Sequence, residues 1–291
     1  MRRRQLGASG QTISQVTFGM MRLREETEDG MRASDLLCTL HDAGIDTHHS
    51  SAEYPSMDIY LDALRTARAS GRRFEHIVKV ADPSFEDDVF DPARISARID
   101  RELRDLGAER LASVQWLFRT SDVGDHDRRG SQLREQAGVI AECMQTLMAS
   151  GKVGEFSCFP YALSFAREVA QHLPIQTLAD YLSLFETSSL SLREDFDQIV
   201  AIRPYAGSDV ALSQAPEFDA LARDGLIKAS DDRFARAIEF PLRSPWVASV
   251  VVSANSPESR RIAIEAGDLT PDPSLFDSWV DSLSSRSVMP A

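Results

Sequence analysis

Cysteine is scarce in this chain: Cys38, Cys143 and Cys158 are the only three in 291 residues. An odd number at wide spacings excludes a disulfide framework or a zinc cluster, both of which need paired or clustered ligands. Each lies in an apolar segment and reads as a reduced core thiol. Long hydrophobic runs are absent as well. No stretch approaches the roughly eighteen apolar residues that cross a bilayer, and no such run follows the basic "MRRRQLGASG" start as it would in a secretory leader. A soluble, cytosolic protein is expected. Positive charge is the third shortage: 32 Lys and Arg face 45 Asp and Glu, a formal net charge of −13. Apart from Arg2-Arg3-Arg4, the basic residues stand singly or in pairs such as Arg72-Arg73 and Arg260-Arg261. Phosphate backbones and anionic membranes need a positive face, so neither nucleic acid nor a membrane is expected as a partner. No Gly-x-Gly-x-x-Gly turn follows a strand-like run, which disfavours an open doubly wound sheet.

What is present is a regular alternation. Eight short β-branched or aromatic runs recur: "QVTFGM" (Gln15–Met20), "DTHHS" (Asp46–Ser50), "HIVKV" (His76–Val80), "SVQWLF" (Ser113–Phe118), "GEFSCF" (Gly154–Phe159), "IQTLADY" (Ile175–Tyr181), "IVAIRPY" (Ile199–Tyr205) and "ASVVVSA" (Ala248–Ala254). Amphipathic stretches of helical length separate them. In "PARISARIDRELRDLG", Ile95, Ile99, Leu103 and Leu106 share one face, with Pro92 and Gly107 as its start and stop. "QLREQAGVIAECMQTLMASGK" repeats the design with Ile140, Met144 and Leu147, ending at Gly151. Strands alternating with helices pair in parallel through crossovers, and eight such units close into a barrel. The fold class predicted is therefore α/β: a (β/α)8 TIM barrel forming a single domain over residues 1–291, preceded by an N-terminal β-hairpin turning at Ala8-Ser9-Gly10. Residues 119–131 and 206–216 read as the longest loops; both follow strands and so overhang the C-terminal face, where barrel enzymes work.

Several short motifs carry a resemblance. "RQLGASGQTIS" (Arg4–Ser14), "FGM" (Phe18–Met20), "DAGI" (Asp42–Ile45), "SGKV" (Ser150–Val153) and "SPE" (Ser256–Glu258), in this order over most of the chain, resemble the aldo-keto reductase superfamily. That family's chemistry, carried over as an expectation, uses an Asp, a Tyr, a Lys and a His at strand ends, with NADPH as the hydride source. The Tyr gives a proton to a carbonyl, and the Lys, held by the Asp, assists it. Registered on this pattern, Tyr54 and Lys79 occupy the Tyr and Lys positions, His49 stands where the Asp would be, and Phe118 where the His would be. The nicotinamide positions differ too, with Phe159-Pro160, Leu178 and Ile202 in place of the family's polar and stacking residues. The far end of the cofactor groove keeps Ser253, Asn255, Ser256, Arg260 and Arg261 around a helix start, where backbone N–H groups and a guanidinium suit a phosphate.

The resemblance therefore implies a barrel with a degenerate catalytic set, in which NADPH-dependent carbonyl reduction is lost or impaired. The mouth is expected to receive a small-molecule ligand or a partner protein, with Trp116, Phe118 and Phe159 lining an apolar pocket. The alternative is an active oxidoreductase using Tyr54 as proton donor with Lys79, or an enzyme turning Tyr54, Lys79 and His49 to non-redox acid/base chemistry. A metal is not expected: His48 and His49 alternate across a strand, so one histidine, His49, faces inward, and no second ligand pair has the needed spacing.

Overall fold

The computed structural model describes residues 1–8, 10–80, 89–118, 126–160, 162–205 and 215–285. Two strands, β1 (Arg3–Leu6) and β2 (Gln11–Ser14), form an antiparallel hairpin in the register Arg3↔Ser14 to Leu6↔Gln11. Eight parallel strands follow: β3 (Val16–Gly19), β4 (Thr47–Ser50), β5 (Glu75–Val80), β6 (Ser113–Phe118), β7 (Phe156–Pro160), β8 (Thr177–Tyr181), β9 (Gln198–Ile202) and β10 (Val247–Val252). They close into a barrel in which β10 pairs with both β9 and β3. Every strand-like run read from the sequence is one of these. No helix among the described residues is long and apolar enough to cross a membrane.

The helices between and after the strands are α1 (Ala33–Asp42), α2 (Met57–Ala69), α3 (Pro92–Leu106), α4 (His126–Ala149), α5 (Leu163–His172), α6 (Pro216–Arg223), α7 (Arg233–Arg243), α8 (Pro257–Ala266) and α9 (Pro273–Ser284). Helix α3 shows how directly local chemistry sets these elements. The Asp91 carboxylate accepts from Ala93 N, Pro92 fills the first turn, and Gly107 ends the helix in the left-handed region at φ 59°. Its stripe of Ile95, Ile99, Leu103 and Leu106 is buried against the barrel. Helix α4 differs from expectation: it begins at His126, inside the segment read as loop. Its opening "HDRRGSQ" lacks the apolar repeat that marks an amphipathic helix, and Asp127, Gly130 and Ser131 are weak helix formers, so the extra turns rest on continuity with the apolar-striped part of α4. Residues 119–125 and 206–214 of the two expected loops lie outside the described residues, as does Ser9 of the hairpin turn. Pro216 starts α6 and is not part of a loop.

Strand alternation divides the core in two. Outward residues such as Val114, Trp116, Val78 and Cys158 pack under the helices, while Ile77, Phe159, Ala179, Val200, Ala248 and Val251 form an inner cluster with Leu6 and Ile13 of the hairpin. The hairpin thus seals the N-terminal end of the barrel. Arg4 fastens it there: its guanidinium donates to Gln15 Oε1 (2.9 Å) and to the carbonyls of Leu242 (2.7 Å), Ser244 (3.1 Å) and Val247 (2.5 Å). Deeper in the barrel, polar side chains satisfy one another across strands, as in Thr17 with Ser249 at 2.7 Å and Ser113 with Ser157 at 3.0 Å. The cysteines are free thiols, with Cys143 and Cys158 buried and Cys38 partly so.

Candidate functional site

Tyr54 lies in the turn after β4, at the C-terminal face of the barrel. The turn is held in place from three sides. Tyr54 N donates to Ser51 O at 3.0 Å. The Ser51 hydroxyl sits between two acceptors, the Glu53 carboxylate and, 2.8 Å away, the Lys79 carbonyl on β5. Glu53 in turn accepts from Arg98 Nη2 of α3 at 2.8 Å, and Arg98 Nε donates to the buried Glu102 at 2.7 Å. Burial would raise the Glu53 pKa, but the bonds from Ser51 and Arg98 prevail and bring it below the usual carboxylate range. Glu53 is therefore an anchor that ties the Tyr54 turn to α3.

Lys79 Nζ stands 4.5 Å from the centroid of the Tyr54 ring, a cation against an aromatic face. His49, at 6.4 Å between ring centroids from Tyr54, completes the group. Its Nε2 donates to Gln115 Oε1 on β6 at 2.7 Å. Burial drives the His49 pKa down to about 4; the Gln115 bond opposes this and the Lys79 charge adds to it. His49 is thus a neutral imidazole at pH 7 with Nδ1 as its remaining acceptor. The three residues expected to carry chemistry are brought together. His48, facing outward as expected, bonds the Tyr60 hydroxyl at 2.9 Å within the helix layer.

The apolar pocket expected from Trp116, Phe118 and Phe159 does not form as such. Trp116 points away from the barrel axis, 1% exposed, and packs at 5.4 Å between ring centroids against Phe90. The physical reason is pleat parity: Gln115 faces inward to His49, so its neighbour Trp116 must face outward. Phe118 ends β6, and its side chain lies outside the described residues. Phe159 does face inward, edge-on to Tyr181 at 6.0 Å and 88°. Ile202 joins the same cluster, and Leu178 lies on the outer side of β8, with Ala179 taking the inward place.

Gln115 is the site residue that sequence reasoning missed. It is fully buried, and its Nε2 has no hydrogen-bond partner among the described residues. Its signal was a lone amide between Val114 and Trp116. Arg203 is another: it follows β9 at φ 59°, a conformation that a non-glycine side chain rarely adopts, with its guanidinium 4.7 Å from the Tyr181 ring centroid.

The residues expected to hold a phosphate gather around the start of α8, but protein groups already engage them. Ser256 caps the helix, accepting from Ser259 N, and its own N–H donates to Ser259 Oγ, both at 3.1 Å. Asn255 Nδ2 donates to Arg22 O at 2.8 Å. Arg260 bridges to Asp29 at 2.7 Å and Arg261 to Glu265 at 2.6 Å. Ser253 sits half-buried just after β10. No group of three or more metal-ligating side chains occurs among the described residues.

No family model matches the sequence, and no curated protein does so either. Solved structures do match. Aldo-keto reductase from Bacillus halodurans in its holo form superposes with a TM-score of 0.72 at 19% identity, covering 97% of this chain and 96% of that one. Its apo form superposes with a TM-score of 0.69 at 17% identity over the same shares. The fold of this chain is that of the aldo-keto reductases.

Proposed function

We propose that this barrel binds a small carbonyl compound at its C-terminal mouth and does not carry out conventional NADPH-dependent reduction. The observation that carries the reading is His49: a neutral imidazole, bonded to Gln115, stands where the family's mechanism requires a carboxylate to hold the lysine. The residues around the groove do not fit a nicotinamide nucleotide. At one end Phe159, Tyr181 and Ile202 pack together where polar groups would grip the carboxamide, and at the other Arg260 and Arg261 are neutralised by Asp29 and Glu265. Replacing several members of a concerted set removes orders of magnitude of rate. A carbonyl oxygen at the Tyr54 hydroxyl would accept from it, with Lys79 supplying positive charge nearby.

Lys79 over the Tyr54 ring favours a second reading, that the site still moves protons. There Tyr54 gives a proton to the substrate and His49 Nδ1 takes one, as a dehydration or an isomerisation needs.

Isothermal titration with NADPH and with NADP tests the first reading. No heat and no thermal shift at millimolar cofactor are expected. Micromolar binding, with turnover of a carbonyl panel that Tyr54→Phe abolishes, would instead make the chain a working reductase.

A further inference from the structure

A groove of about 580 Å³ opens at the far end of the barrel from the mouth. The helices run back along the barrel, so the C-terminal ends of α2 and α3 both lie on its N-terminal face, and the groove lies between them. In a chain of net charge −13 its lining includes Arg65, Arg68, Arg72, Arg73 and Arg104. Sequence showed these as singles and one pair; the packing of α2 beside α3 makes them a cluster.

The guanidiniums are held in two different ways. Arg68 is built into the floor: its Nη1 donates to Leu106 O at 2.7 Å, and it occupies the space that a Cβ on Gly107 would need. Arg72 is gripped through two bonds by Asp42, at 2.8 and 2.7 Å, and donates to Ser70 Oγ at 2.6 Å. Arg65 bridges to Asp62 at 2.8 Å. Arg73 and Arg104, both exposed, bond no protein group among the described residues. The nearby carboxylates are Asp42, Asp62 and Asp105, so the five arginines leave a local excess of two positive charges. Basic side chains at a helix C-terminus complement its dipole, and that accounts for Arg68 and Arg104, which sit in the last turns of α2 and α3. It does not account for Arg65, Arg72 and Arg73 converging on the same concave space.

We propose that this groove binds a small polyanion of the di- or triphosphate class. Its volume falls in the range of small-molecule sites, roughly 300–1,000 Å³. Planar guanidinium forks match phosphoryl oxygens two at a time, and several forks around one space favour a ligand with linked charges over a single monoanion. Arg68 and Arg72 are held in place before binding, whereas Arg73 and Arg104 close on the ligand.

Titration calorimetry with inorganic tripolyphosphate, at an ionic strength held constant with chloride, tests this on wild type and on an Arg73→Ser/Arg104→Ser double variant. One site per chain is expected, weakened at least about tenfold in the double variant, with the unfolding midpoint of the anion-free protein lowered by no more than a few degrees through the lost Arg104 charge at the end of α3. Asp105→Asn removes a facing negative charge and is expected to tighten binding several-fold. The proposal is overturned if wild type does not bind, if the double variant binds equally well, or if only an Arg2→Ser/Arg3→Ser control loses binding. Citrate binding more tightly than tripolyphosphate would overturn the phosphate class.

Discussion

Glu155 keeps a proton at neutral pH. Burial pushes its pKa up to about 8, against the opposing bonds from Thr177 and Ser113. It lies under the hairpin, where a Cβ on Gly7 would overlap its carboxyl group. Because the folded state holds this proton more tightly than the unfolded chain does, stability falls as pH rises from about 4.5 to about 8. His49 and His76 act in the opposite sense, since burial lowers their pKa values to about 4 and about 3 and stability rises with pH up to about 6.5. The Asp180 carboxyl, raised by burial to about 6, adds to the Glu155 effect only in the lower range. Above about pH 6.5 Glu155 therefore acts with little opposition. Urea unfolding should show a loss of up to about 2 kcal/mol between pH 6.5 and 8, and Glu155→Gln should flatten that decline. An unchanged slope in the variant would mean that Glu155 is ionised in the folded state. At this scale the sequence pointed to Tyr54, Lys79 and His49, which lie together, but not to their neighbour Gln115, because side-chain parity in a six-residue strand depends on its exact register, and Trp116 was the more conspicuous inward candidate.

Among the elements, the hairpin depends on one side chain. Arg4 ties β1 to Gln15, just past β2, and to the α7–β10 junction through four hydrogen bonds, and its burial, with the Arg2 charge beside it, lowers its own pKa to about 10. Arg4→Ala leaves buried carbonyls without a donor. It is expected to cost about 3 kcal/mol in urea unfolding, while Arg3→Ala, which loses a half-exposed bridge to Asp46, costs under about 1 kcal/mol. Equal losses would show that the hairpin is held by Leu6 and Ile13 alone. Helix α3 was legible to its end residues because its cap, its stripe and its stop all point the same way. The start of α4 was not, since a polar stretch holding Asp127, Gly130 and Ser131 and no apolar stripe looks like a surface loop.

On the scale of the whole molecule, β10 closing on β3 leaves the barrel without a free edge, so no unit can detach without breaking two seams. Far-UV and near-UV circular dichroism and tryptophan fluorescence are expected to follow one coincident urea transition. Two separated transitions would show that the barrel divides into halves. The barrel itself was readable from eight β-branched runs at helical intervals, whereas the arginine groove was not. Its residues come from two helices and a turn, and only the angle at which α2 and α3 meet brings them together.

The bare α-carbon of Gly107 has a consequence for that groove. Any side chain there would meet a left-handed backbone and displace the Arg68 guanidinium from the carbonyl it binds. The layout of charge on this face is thus governed by a position that carries none, and a single added methyl group would rewrite it while leaving every arginine in the sequence.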